Sequence, residues 1–135
     1  MEKLPIVRDH MDRRVATLRP ETDILDAVGF LLEKGVTGAP VVDKSGRLVG
    51  ILTEKDCLRL VAAGVEGNLP RGSVATFMSP DPETLPPDMN VYFAAGLFLK
   101  RSFRRFPVVE DGKLVGAITR FDILRVIQTN LSLTR

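Results

Sequence analysis

Two short runs carry the residues best placed to do chemistry. Leu48-Val49-Gly50-Ile51-Leu52-Thr53-Glu54-Lys55-Asp56 is answered by Leu114-Val115-Gly116-Ala117-Ile118-Thr119-Arg120-Phe121-Asp122. Each reads as a strand carrying a glycine that permits close backbone approach, followed by a Thr-x-x-Asp that opens a helix. By itself Thr-x-x-Asp is a capping box: threonine and acid satisfy orphan helix amides, and the acid complements the macrodipole. Other reactive residues are few. One cysteine (Cys57) and one histidine (His10) exclude a disulfide within the chain and a structural zinc site of Cys and His alone. They leave no ordinary nucleophile–base pair, and the composition leans away from an enzyme. Cys57 corresponds to Ile123 in the second run, and an apolar counterpart predicts a buried, inert thiol. Lys100, Arg101, Arg104 and Arg105 form the one dense basic cluster. It reads as the cationic end of a helix or as a phosphate contact; without interleaved Tyr or Trp it makes a poor nucleic-acid surface.

The chain that must position these residues has 135 residues and a formal charge of +2, with 44% hydrophobic and 27% charged residues. That is enough for one ordinary domain, in the globular range. The balance carries no large cationic excess of the kind that binds polyanions. No apolar run is long enough to span a bilayer, and Met1-Glu2-Lys3-Leu4-Pro5 has no secretory apolar region, so a cytoplasmic location is expected.

The elements follow from an internal repeat. Met11–Leu60 aligns with Met78–Val126 at a shift of 67 positions, falling to 66 after one loop residue, with eighteen identities. The lost residue falls in a hairpin: Lys44-Ser45-Gly46 suits a type I turn with a glycine bulge, and Asp111-Gly112 suits a two-residue turn. Each repeat predicts an extended segment (Val15–Leu18; Glu83–Leu85), then a helix capped by Thr22 or Asp23, or by Asp88 or Asn90, and stopped near Gly35 or Ser102. The hairpin follows, and then a second helix from Thr53 or Thr119. Residues Gly64–Gly72 read as the connecting loop. A unit of this size buries little apolar surface alone, so the two copies are expected to pack together with related clefts at their seam.

The sequence resembles a tandem pair of cystathionine-β-synthase (CBS) domains, the Bateman module. The resemblance runs from about Ile6 to Ile127 and rests on three motifs that occur in order, twice. These are Met-x-x-x-x-x-Thr-Leu-x-Pro, Pro-Val-Val-[Asp/Glu] before a glycine turn, and Leu-Val-Gly-x-[Ile/Leu]-Thr-x-x-Asp. It implies an α+β fold of two pseudo-twofold-related β-α-β-β-α repeats packed through their sheets, with repeat 1 over 1–66 and repeat 2 over 67–135. It also implies a non-catalytic sensor with no catalytic cofactor and no metal. Its regulatory ligand would be an adenosyl nucleotide (AMP, ADP or ATP, or NAD or S-adenosylmethionine) held in the seam, the acid of Thr-x-x-Asp accepting hydrogen bonds from ribose hydroxyls.

Carried over by position, the resemblance implies two mixed ligand sites. The first, favoured one comprises Val15, Ala16, Thr37, Gly38, Ala39 and Pro40 with Arg104, Ile118, Thr119, Arg120 and Asp122. The second comprises Pro82, Glu83, Arg104, Arg105, Phe106 and Pro107 with Leu52, Thr53 and Asp56. Gly38-Ala39 leave room for a purine where Arg105-Phe106 fill it, and Glu54 and Glu83 repel phosphate at the second site. The resemblance further implies a homodimer through the repeated helices, with Leu58, Val61, Ala62, Leu124 and Ile127 as candidate apolar contacts. No effector domain is recognisable, so the expected output acts in trans on an effector protein, with no membrane and no nucleic-acid partner. The alternative is a ligand-independent dimerisation or protein-interaction module, in which Thr-x-x-Asp merely caps helices.

Overall fold

The computed structural model describes residues 4–64, 68 and 71–131. The expected boundary at 66/67, and most of the expected loop 64–72, lie outside the described residues. The chain forms two compact units, one continuous (Ala16–Pro82) and one split (Met1–Val15 with Glu83–Arg135).

In the continuous unit, helix α1 spans Ile24–Lys34. Of its two candidate caps Asp23 is used: its carboxylate accepts from Leu25 N and Asp26 N, and Gly35 ends the helix at φ +66°. Strands β1 (Gly38–Val42) and β2 (Leu48–Thr53) pair antiparallel, with a register slip between Val41 and Val42. Gly46 takes φ +88° at their turn. There the Asp43 carboxylate accepts from Ser45 N, Ser45 Oγ and Arg47 N; the hydrogen bond from Ser45 is the main cause holding its pKa below the ordinary value. Helix α2 (Glu54–Ala63) follows β2 directly. Helix α3 (Val74–Phe77) leads to β3 (Ser79–Pro80), which pairs with β2, giving the order β1-β2-β3.

The split unit repeats this plan. Helix α4 (Val91–Lys100) is capped by Asn90 and stops at Lys100, short of the expected Ser102. Strands β4 (Arg105–Glu110) and β5 (Lys113–Thr119) are joined by Asp111 and Gly112, both left-handed at φ +55° and +81°. Those angles match the two-residue turn that Asp-Gly predicts. Helix α5 (Arg120–Val126) continues into a π turn. The segment before residue 15 completes this unit: Val7 N donates to Met89 O, and Asp12 and Ala117 exchange both backbone hydrogen bonds. The expected extended segments form only single bridges, Leu18 with Val41 and Leu85 with Val108, because the proline two residues on (Pro20, Pro87) turns the chain towards the helix.

Each unit has its own core. Leu18, Ile24, Ala27, Leu31, Val41, Leu52 and Leu60 cluster in one. Val7, Leu85, Ala94, Phe98, Phe106, Val108 and Ile118 cluster in the other. The glycine of each Leu-Val-Gly sits beneath the methionine that opens the motif set. A Cβ on Gly116 would stand 2.7 Å from Asp12 O and 2.7 Å from Met11 Sδ, and one on Gly50 would meet Met78 Sδ and Ser79 O. At Gly116 the blocking atoms include backbone, so Gly116→Ala must open the Asp12–Ala117 bridge. It is expected to lower the unfolding free energy by about 1–3 kcal/mol, the usual size of overpacking. Chemical denaturation measures it; an unchanged midpoint would show that the bridge gives way freely.

Candidate functional site

The two capping boxes form as the Thr-x-x-Asp pattern predicts, yet their carboxylates are engaged to different degrees. In the continuous unit Asp56 is 3% exposed and is the one buried charged residue among the described residues. Its Oδ2 accepts from Thr53 N (2.9 Å) and Thr53 Oγ1 (3.0 Å). Its Oδ1 accepts from Arg59 Nη1 (2.9 Å), and Ser79 Oγ on β3 donates to both oxygens at 3.1 and 3.4 Å. A carboxylate offers about four lone-pair positions, and four donors occupy them.

In the split unit Asp122 accepts from Thr119 N (2.8 Å) and from Arg125 Nη1 (2.7 Å). Its side chain retains 11% exposure, and Arg125 is itself mostly solvated. About half the acceptor capacity of Asp122 is therefore open. The column matched to Ser79 holds Asp12, an acceptor when ionised, and the column matched to Gly38 holds Arg105. Arg105 is half-buried and pairs with Thr119 across β4 and β5. Burial lowers the pKa of its guanidinium, while the carboxylates of Asp12 and Asp122 act to raise it. Arg105 thus supplies positive charge beside Asp122 where the continuous unit has only the backbone of Gly38.

Within each unit, strand pairing joins the residues before Pro-Val-Val to the Thr-x-x-Asp of the same repeat. Gly38 pairs with Thr53 and Ala39 with Leu52, and Thr37 O accepts from Glu54 N at 2.8 Å. Arg105 pairs with Thr119 and Phe106 with Ile118. Ala39, Pro40, Leu52, Phe106, Pro107 and Ile118 are buried. The Phe106 ring is committed to the core, edge-on to Phe98 and Phe103 at 4.8 and 5.4 Å. The difference in room between the two columns therefore rests on Arg105 against Gly38 and not on the phenylalanine. Val15, Ala16 and Pro82 are half-buried, while Thr37, Arg104 and Arg120 are exposed. Glu83 is no free repelling charge: Arg101 Nε donates to it at 2.7 Å. Cys57 is half-buried against the core of its unit, and burial, then the Asp56 carboxylate, push its thiol pKa up. The raised pKa keeps the thiol protonated at neutral pH, and Cys57 is less buried than the apolar counterpart Ile123 predicts.

Sequence reasoning missed Arg59 and Arg125, although the signal was present. They are identical in the two repeats and follow each aspartate by three residues, the spacing at which helix side chains meet. It also missed Ser79, whose role depends on β3 lying along β2. No helix among the described residues is long and apolar enough to cross a membrane.

The profile of the CBS domain family matches residues 7–63 and 74–129, most of the chain, in two tandem copies. The chain belongs to the CBS domain family. Among its curated relatives is the A-adding tRNA nucleotidyltransferase of Aquifex aeolicus, 37% identical over 93% of this chain and 15% of that protein. The first three curated relatives are all longer, and this CBS chain spans between 15% and 56% of their lengths. Among solved structures, CBSX2 of Arabidopsis thaliana in complex with AMP superimposes with a TM-score of 0.80 at 35% identity, covering 97% of this chain and 99% of the crystallised chain. The CBS domain pair of protein MJ0100, in complex with 5′-methylthioadenosine and S-adenosyl-L-methionine, gives 0.76 at 26% identity, covering 93% and 98%. The mixed α+β fold is that of CBS-pair structures.

Proposed function

We propose that this chain is a regulatory, non-catalytic module that binds an adenosyl nucleotide, with AMP, ADP and ATP as first candidates and NAD and S-adenosylmethionine next. The residues proposed are Arg104, Ile118, Thr119, Arg120 and Asp122 of the first set, with Asp122 accepting from the ribose hydroxyls. One observation carries the reading: Asp122 keeps acceptor positions open beside the half-buried Arg105. Two open acceptor positions match the two hydroxyls of a ribose, and bonds to a charged acceptor are the strong ones. Support comes also from CBSX2 and the MJ0100 pair, whose structures contain adenosyl ligands. Binding would shift the population of chain conformations that an effector protein reads.

Homodimerisation belongs to the same proposal. Leu58 and Val61 on α2, and Leu124 and Ile127 at the end of α5, are 48–66% exposed; apolar side chains repeated on both second helices suit a second copy of the chain. The alternative, a ligand-independent interaction module, draws on those same faces together with the completed capping boxes. A thermal-shift panel separates the two. At a hundredfold excess over Kd, AMP or a related ligand stabilises the chain by about 2.7 kcal/mol and raises the melting temperature by several degrees. No shift with any adenosyl ligand leaves the interaction module. Sedimentation of the same samples is expected to show a dimer, and a monomer removes that part.

A further inference from the structure

The contrast between the two carboxylates points to an occupancy rule, and it rests on the nucleotide-binding reading above. We propose that Ser79 latches Asp56 shut, so that the chain takes one adenosyl nucleotide, at Asp122, and leaves the second Thr-x-x-Asp unused. Both aspartates share the bond from their threonine N–H and the bond from an arginine one turn on. Beyond these, Asp56 also accepts from two hydroxyls, and only one comes from outside its own helix cap: Ser79 Oγ, straddling both carboxylate oxygens. Ser79 is held there by backbone pairing, Ile51 with Ser79 and Gly50 with Pro80, so its hydroxyl is delivered to Asp56 by the sheet and not by chance rotation.

A ribose at Asp56 would have to eject donors already in place from a carboxylate that is 3% exposed, exchanging one set of hydroxyl bonds for another with little net gain. The split unit cannot form the equivalent latch. Asp12 occupies the matched column with the same backbone pairing to the centre of β5, but an ionised carboxylate has no proton to donate. Ser79 against Asp12 is therefore the difference that supplies the latch in one unit and withholds it in the other.

Calorimetric titration with AMP tests it, using the full chain. Wild type is expected to bind one AMP per chain and Asp122→Ala to bind it roughly 10- to 150-fold more weakly. Ser79→Ala is expected to bind a second AMP, more weakly than the first because Thr53 Oγ1 still occupies Asp56, and Ser79→Ala combined with Asp122→Ala to keep that weaker site. Ser79→Thr keeps the hydroxyl and stays at one. If Ser79→Ala does not fold, Ser79→Cys, nearly isosteric and a weak donor, takes its place. A merely structural serine would change stability without changing stoichiometry. The latch is overturned by two sites in wild type, or by a silent Ser79→Ala/Asp122→Ala chain whose Ser79→Ala parent still binds one AMP. Absence of AMP binding in wild type would instead overturn the nucleotide-binding reading, and the latch with it.

Discussion

Asp56→Ala lowers the unfolding free energy of the chain by about 2–4 kcal/mol, on the scale for stripping a buried charged acceptor from its donors. The size follows from what is left behind. Arg59 is 72% exposed and returns to water at little cost. The Thr53 amide and the Ser79 hydroxyl are different: both lie in a partly buried cluster and lose their acceptor together. The helix also loses half of its capping box, since Asp56 is the residue that reaches back to the Thr53 amide. Asp56→Asn separates charge from hydrogen bonding, because the amide oxygen still accepts; it is expected to recover about half of the loss. Urea unfolding of the three proteins measures this, and an Asp56→Ala chain as stable as wild type would mean that the cluster is a surface ornament.

The second large effect is on binding. Asp122→Ala weakens AMP binding by about 1.5–3 kcal/mol, roughly 10- to 150-fold, the range for hydrogen bonds to a charged group. It costs less stability than Asp56→Ala, because Asp122 holds only one backbone amide and one mostly solvated arginine. The two aspartates thus exchange roles: one is chiefly a keystone of its unit, the other chiefly a docking point. Titration of AMP into Asp122→Ala and Asp56→Asn side by side resolves this. Equal losses, or a loss confined to Asp56→Asn, would remove the asymmetry.

Much of this was legible in the residues, for identifiable reasons. Caps, turns and helix starts are local, and Asp23, Asn90, Asp111-Gly112 and both Thr-x-x-Asp boxes act within a few residues of themselves. Glycine is different. Gly50 and Gly116 signalled close approach, but not to what, since Met78 and Met11 reach them only through the sheet. Ser79 lies 23 residues from Asp56 and Arg101 lies 18 from Glu83. Pairings at such distances depend on tertiary register, and no spacing rule could have announced them. Phe106 shows the same limit: strand alternation decides whether a side chain lines a surface or fills a core, and that needs the strand's facing.

The division of the chain into a continuous and a split unit has a consequence for its history. Residues 16–82 can close their core from one uninterrupted stretch, whereas the other core needs Val7 to meet Met89 and Asp12 to meet Ala117. Contacts of such sequence separation are slow to form, because the entropy of closing the loop is lost before the contact is gained. Val7 precedes the continuous unit in the chain and its partner Met89 follows it, so the whole of that unit is made between the two. Synthesis therefore supplies every residue of the continuous unit, Asp56 among them, before the residues that the split unit needs to close.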